Sequence, residues 1–328
     1  MYRAYFDSGT SNSRIYLLDS DFNVKYSNKK KLGSKDCAIA GSNDVLLLGL
    51  KELYDGMLKA SGLLDKDISE IYASGMVTSM YGIKEVAHIG LPIRAEEFMN
   101  NTYCHFESRY FKRDIILVPG IKSRIGDDIS LVGNVRGEEI ELIGAMDEIK
   151  NRFKKERCIV VMPGSHTQII CLKDGVIEGL ISNFTGELIQ SLESNTIFSP
   201  ILSGKFDGTL KDMVLLGKRN LERYGFNRAL YIAHTMRTFK ENDTKAQKSY
   251  LEGVINAGVV SVIEHYCDNY WKDCKNAAMI SGKYLFDIYA ALFENSAQIK
   301  NVVHLNNDKA RSYSIEGLKK IVSYKEGL

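Results

Sequence analysis

Short apolar stretches separated by polar turns open the chain: Tyr2 to Phe6, Ser13 to Leu18 and Phe22 to Tyr26, with Asp7-Ser8-Gly9 and Asp19-Ser20-Asp21 between them. That pattern predicts a three-stranded meander. A loop with Gly33 and Gly41 follows. From Asp44 to Ser61, Leu46, Leu47, Leu50, Leu53, Tyr54 and Leu58 recur at helical spacing, with Ser42, Asn43 or Asp44 available to cap the start. Ile68 to Ala73 and Asp114 to Val118 read as strands that stop at Ser74-Gly75 and Pro119-Gly120. Gly137 to Lys150 carries Ile140, Ile143, Met146 and Ile149 at helical period. Strand and helix alternating in this way predict an α/β fold with a covered, partly parallel sheet.

The pattern then starts again. Arg157 to Met162 is an apolar strand stopped by Pro163-Gly164-Ser165-His166; Gln168 to Leu172 and Val176 to Ser182 follow, with Lys173-Asp174-Gly175 as the hairpin turn. Thr185 to Leu192 opens a helix. At an offset of 155, Phe6-Asp7-Ser8-Gly9-Thr10-Ser11-Asn12 lies over Val161-Met162-Pro163-Gly164-Ser165-His166-Thr167. Both segments sit between the first two strands of a meander, and both place hydroxyl residues after a Gly. An internal duplication follows, with domains at 1–152 and 153–328. Beyond about residue 205 the chain reads as helical, through Lys211 to Tyr224, Asn227 to Lys240 and Lys245 to Tyr270. Strands at Ala277 to Ser281 and Asn301 to Leu305, each followed by a helix, close the second half.

Composition narrows the partners. Among 328 residues, 43 Lys and Arg stand against 41 Asp and Glu, a formal net charge of +2. A near-balanced chain has no general attraction for nucleic acid or an anionic membrane, so neither is expected as a partner. An acidic residue at position 7 interrupts any secretory core, and no apolar run is long enough to span a bilayer. A cytoplasmic location is expected. The six cysteines show no C-x-x-C spacing, and each reads as a small buried hydrophobe.

Turns that join adjacent strands through Gly and hydroxyl residues present successive backbone N–H groups, and such nests bind phosphate oxygens. No Walker sequence is present, so the two turns are the candidates. Asp7 stands at the end of the first strand, where its carboxylate would face bound phosphates and hold magnesium directly or through water. A turn-capping Asp is the plainer reading; the repeated context favours the metal role.

With these residues assembled, the chain resembles the 2-dehydro-3-deoxygalactonokinases, sugar-acid kinases of the superfamily that includes actin and hexokinase. The resemblance runs over nearly the whole chain. It rests on Asp7-Ser8-Gly9-Thr10-Ser11-Asn12-Ser13-Arg14, Ser74-Gly75-Met76-Val77, Val118-Pro119-Gly120, Val135-Arg136-Gly137-Glu138-Glu139, Met162-Pro163-Gly164-Ser165-His166 and Phe184-Thr185-Gly186-Glu187-Leu188. It implies two duplicated actin/hexokinase-like (ribonuclease H-like) α/β domains with an ATP cleft between them, the first on the substrate side and the second on the nucleotide side. It also implies ATP and Mg2+, and transfer of the γ-phosphoryl group to the 6-hydroxyl of 2-dehydro-3-deoxy-D-galactonate.

Carried over by position, Gly9, Thr10 and Ser11 would meet phosphate oxygens from one side and Gly164, Ser165 and His166 from the other. Thr185, Gly186 and Gly282 would complete the nucleotide contacts. Arg136 is the natural partner of the substrate carboxylate, with Arg14 as competitor. Glu138 or Glu139 would serve as general base beside Asp7, with Asp127 and Asp128 as alternatives; a helix N-terminus also favours such carboxylates without catalysis. A homodimer is left open. The chain departs from the family pattern at Ser8, Ser11 and Ser13. It also has Gln168-Ile169 where a Lys and a Trp are usual, which removes a cation near the phosphates.

Overall fold

The computed structural model describes residues 1–306 and 312–326. Two compact units are present: unit 1 comprises Met1–Glu148, Gly175–Gly179 and the chain from Ser312, and unit 2 comprises Ile149–Asp174 and, of the described residues, 180–306.

Unit 1 begins with β1 (Tyr2–Ser8), β2 (Ser13–Leu18) and β3 (Val24–Lys30), followed by α1 (Ser34–Ala40) and α2 (Asp44–Ser61). Then come β4 (Ile68–Gly75), the short β5 (Ile89–Gly90) and β6 (Ile93–Arg94), β7 (Tyr103–Glu107), β8 (Arg113–Leu117), β9 (Ile121–Ser123), β10 (Gly133–Val135) and α3 (Glu138–Phe153). The main sheet has the order β3-β2-β1-β4-β8-β7, and β9 links β10 and β5 in a small second sheet. β1 runs antiparallel to β2 and parallel to β4.

Central strands read as unbroken apolar runs because both faces are covered. In β1, Ala4 and Phe6 pack with Leu46, Leu47, Leu50, Leu53 and Met57 of α2. Tyr5, pointing the other way, packs with Ile315, Leu318 and Val322 of α10 (Tyr313–Glu326). Truncating Phe6 to Ala would cost about 3–5 kcal/mol, the usual loss for a fully buried aromatic.

Unit 2 repeats the plan with β11 (Cys158–Pro163), β12 (His166–Lys173), β13 (Val176–Phe184), α4 (Gly186–Asn195) and α5 (Ser199–Leu202). The helices α6 (Lys211–Tyr224), α7 (Phe226–Thr238) and α8 (Thr244–Asn269) come next, before β14 (Asn276–Ser281), α9 (Lys283–Phe293) and β15 (Asn301–Asn306). Its strands lie in the order β15-β14-β11-β12-β13. β11 is antiparallel to β12 and parallel to β14, and β14 is parallel to β15. Order and direction reproduce those of β8-β4-β1-β2-β3, so the repeat seen in the turns is a repeat of whole sheets.

Two expectations fail. The stretch from Gly33 to Gly41 is a helix, α1, and not a loop: Asp36 Oδ2 accepts the Gly33 N–H at 2.8 Å, and Gly41 ends the helix at φ 66°. Cys104 is exposed, because β7 is an edge strand with one face open, whereas the other five cysteines are buried. All six are free thiols. Among the described residues no helix is long and apolar enough to cross a membrane.

Candidate functional site

In unit 1, strand register places Asp7 directly opposite Arg14, and Arg14 Nη1 donates to Asp7 Oδ2 at 3.0 Å. Burial raises the Asp7 carboxyl above its ordinary range, and Arg14 acts against that rise. The Asp7 side chain remains 19% exposed and that of Arg14 48%, so the pair reaches solvent. Below it, Ser8 and Ser13 are fully buried and share a hydroxyl hydrogen bond of 2.7 Å, and Ser13 also donates to the Leu32 carbonyl. These two serines, departures from the family pattern, are internal braces of the turn.

The turn itself is held by its carbonyls. Ser34 N and Lys35 N, at the start of α1, donate to the Gly9 and Thr10 carbonyls at 3.3 and 3.0 Å, and Gly9 N closes the turn onto Asn12 O at 2.8 Å. Among the described residues the amides of Thr10 and Ser11 have no protein acceptor. Fixed carbonyls and open amides are what a phosphate nest requires. Gly75, at φ 83°, packs beneath: a Cβ there would lie 2.4 Å from the Ser8 carbonyl oxygen.

At the start of α3 the two candidate bases part. Glu139 is fully buried and its Oε2 accepts the Gly137 N–H at 2.7 Å, which caps the helix. Its Oε1 has no partner, and burial pushes its carboxyl well above the ordinary range. Glu139 is thus enclosed at the start of α3. Glu138 is half-buried. Glu141, which the sequence reading passed over, is the third acid of this turn; Ser314 Oγ donates to it at 3.3 Å. Burial, then Asp7 and Glu138, raise Glu141 to about 7. The run Glu138-Glu139-Ile140-Glu141 was the available signal.

Arg136 is anchored from three sides, by Thr78 Oγ1 at 2.7 Å, the Val86 carbonyl at 2.9 Å and His88 Nδ1 at 3.3 Å. Burial and the Arg136 charge bring His88 down to about 4, so the imidazole stays neutral and accepts. Asp128 caps Ser130 N at 2.8 Å, and Asp127 is exposed beside Arg124. Among the described residues neither aspartate is tied to the Asp7 turn by a hydrogen bond or ion pair.

In unit 2 the second turn is built alike. Gly164 N donates to the His166 carbonyl at 3.0 Å, and Glu187 N, in the first turn of α4, holds the Ser165 carbonyl at 2.8 Å. A Cβ on Gly186 would lie 2.2 Å from the Gly164 carbonyl oxygen. Thr167 and Thr185 form a buried hydroxyl pair at 2.8 Å, matching Ser8 and Ser13. No carboxylate stands in this turn. His166 is 3.4 Å from Glu187 Oε2, and its ring packs against Phe184. Gln168 is buried, with its Oε1 accepting from Ser182 Oγ at 2.6 Å. Position 168 is thus filled by a neutral internal contact. Gly282 precedes α9 with an extended backbone, and a Cβ there would meet nothing within 4 Å. Among the described residues nothing demands glycine at 282.

The donor set suits magnesium carried by a nucleotide. Among the described residues no three His, Cys, Asp or Glu side chains converge to hold a metal. Asp7 keeps one carboxylate oxygen clear of Arg14, enough for a single contact to an ion already bound by phosphates.

Comparisons with known proteins agree with this arrangement. The sequence model of the 2-keto-3-deoxy-galactonokinase family matches residues 7–321. A Rhizobium meliloti (strain 1021) protein named Probable 2-dehydro-3-deoxygalactonokinase DgoK1 is 28% identical over 198 residues, covering 60% of this chain and 58% of its own length. The match therefore spans less than two thirds of that relative. The crystal structure of a Sinorhizobium meliloti protein described as a 2-dehydro-3-deoxygalactonokinase superposes with a TM-score of 0.72 at 21% identity, covering 99% of each chain. A reductive activator for corrinoid, iron-sulfur protein gives 0.51 at 13% identity, covering 99% of this chain and 62% of its own. At such identities the likeness is one of fold, and that fold is the α/β, actin- and hexokinase-like one expected.

Proposed function

The chain belongs to the 2-keto-3-deoxy-galactonokinase family, and from that premise we propose that it transfers the γ-phosphoryl group of ATP to the 6-hydroxyl of 2-dehydro-3-deoxy-D-galactonate or a close 2-keto-3-deoxy acid. The carrying observation is the Asp7–Arg14 pair, solvent-reaching and set beside the open amides of Thr10 and Ser11. Phosphoryl transfer asks a protein chiefly for positioning and charge stabilisation. Within unit 1 the Thr10 and Ser11 amides would take phosphate oxygens; within unit 2 the turn of Gly164, Ser165 and His166 would also bind phosphate, with Thr185 and Gly186 bracing it and Gly282 giving room for the nucleoside. Asp7 would hold magnesium, which supplies charge neutralisation on the phosphates.

Arg14 fixes Asp7 and has donors left for charge that develops on the transferring group. Arg136 makes three anchoring hydrogen bonds with five N–H donors, which leaves a preorganised edge for the substrate carboxylate. Of the paired acids in α3, Glu138 is open enough to accept the hydroxyl proton, while Glu139 keeps the helix start in place. A nucleotide substrate and free thiols suit the cytoplasm, where we place the protein.

Gln168 supports a second reading, a binding protein on the same fold, because it brings no cation to the phosphates. ADP release measured over a panel of 2-keto-3-deoxy acids separates the two. Magnesium-dependent turnover with at least one acid is expected. Nucleotide binding without turnover on any member would favour the second reading.

A further inference from the structure

The hairpin that carries the Gly164 turn has a second feature at its other end. Lys173 closes β12 and Arg157 precedes β11, eight residues or fewer along the strands from the turn and therefore roughly 20 Å away. There Lys155, Glu156, Arg157, Lys173, Asp273 and Lys275 line a concavity of about 360 Å³. Four cations face two carboxylates. One of the carboxylates is already engaged by a neutral group, since Asn276 Nδ2 donates to Glu156 Oε2 at 2.8 Å. Arg157 Nη1 is anchored on the Lys272 carbonyl.

Some lysines elsewhere on the chain are neutralised by a neighbouring acid. Lys25, Lys51, Lys211 and Lys320 each sit within 2.8 Å of a carboxylate. Among the described residues Lys155, Lys173 and Lys275 have no acidic partner, although Asp273 and Glu156 stand in the same concavity. Like charges brought together in a cleft repel one another, and a concave wall focuses their field on whatever enters. An ammonium is a compact, strongly hydrated point charge with three rotatable donors, and lysine binds phosphate oxygens in that way. The excess of two positive charges matches the charge of about −1.5 to −2 on a phosphate monoester near pH 7.

We propose that this pocket binds a phosphate dianion, either free or as the phosphate group of a small ester, apart from the nucleotide's phosphates. Its size admits one such group and a few attached atoms, not a polymer.

The test uses the full-length protein with ADP at saturation, so that the glycine turns are filled, titrated calorimetrically with inorganic phosphate and with 6-phosphogluconate at about 0.15 M salt. Wild type is compared with the Lys173→Ala/Lys275→Ala double variant, whose changes are at exposed positions. One equivalent should bind per chain. Affinity should fall about tenfold or more in the variant, as expected for lost charge-assisted contacts, while ADP affinity stays within about twofold. Tighter binding of 6-phosphogluconate than of phosphate supports the proposal and identifies an ester; equal binding supports it and identifies free phosphate. Absence of saturable binding overturns it, as does equal binding by both proteins, and so does stronger retention of a single-stranded oligonucleotide than of either probe. The readout requires no turnover, so it stands whatever the kinase assay shows.

Discussion

The two glycine turns share a scaffold and differ in what they carry. Each closes on its own glycine N–H, each rests on a buried hydroxyl pair at 2.7 or 2.8 Å, and each has a second glycine pressed against a turn carbonyl. Each also has its carbonyls tied by a helix start, α1 in one case and α4 in the other. Yet the position filled by Asp7 in the first is Met162 in the second, so the first turn carries its carboxylate on the strand, paired with Arg14, whereas the acid beside the second, Glu187 near His166, comes from α4. Duplication supplied one way of presenting amides twice. The strands then differ in single side chains, with the charged Asp7–Arg14 pair in unit 1 and the neutral Met162 and Gln168 facing each other in unit 2.

The sharpest way to break this symmetry is to fill the two supporting glycines. Gly75→Ala meets both a backbone oxygen and a positive φ, so it should lose about 2–4 kcal/mol, and Gly186→Ala, which meets only the oxygen, about 1–3 kcal/mol. Thermal unfolding ranks them, and kinetics should show the first acting mainly on kcat and the second mainly on KM for ATP. A reversed pattern would remove the assigned division.

A pH series sharpens the contrast in charge. The Glu141 carboxyl is raised from 4.5 to about 7 in the folded chain. Between those values the folded state holds a proton that the unfolded state has released, so this group's stabilisation is full below about 4.5 and is lost as pH rises towards 7. Asp7, also raised, acts in the same direction. Urea unfolding at pH 5 and pH 7.5 should show wild type losing on the order of 2–3 kcal/mol, and Glu141→Gln should flatten most of that loss. An unchanged slope would place Glu141 in a more hydrated setting than its burial indicates.

The smallest effects test the shared scaffold. Ser13→Ala strands the buried Ser8 hydroxyl and the Leu32 carbonyl and should cost about 1–2 kcal/mol, whereas Thr185→Val leaves Thr167 only its 3.4 Å contact from Tyr289 and should cost about 1 kcal/mol. Similar losses in the two units would agree with a common bracing device; a loss confined to one would not.

Much of this was legible in the sequence because the period of apolar residues and the repeated Gly-hydroxyl turn are strong local signals. Asp44 to Ser61 and Lys211 to Tyr224 were readable to the residue. What escaped depended on tertiary contacts. Helix α1 is seven residues between two glycines, too short for periodicity, and its role in gripping the Gly9 and Thr10 carbonyls exists only in the fold. Likewise, Glu138 and Glu139 are adjacent acids in sequence, and only the helix phase decides that Glu139 points inward to cap Gly137. The anchoring of Arg136 by Val86 and His88 joins residues some fifty positions apart, which no local pattern reveals.

The most direct measurement is the steady-state kinetics of Asp7→Asn. Asparagine keeps the shape and leaves Arg14 an acceptor, but it removes the charge that distinguishes the first turn from the second. A fall in kcat of about 100-fold or more, with KM for ATP held within about threefold, is the predicted result. A kcat within about twofold of wild type, with magnesium dependence unchanged, would contradict the account.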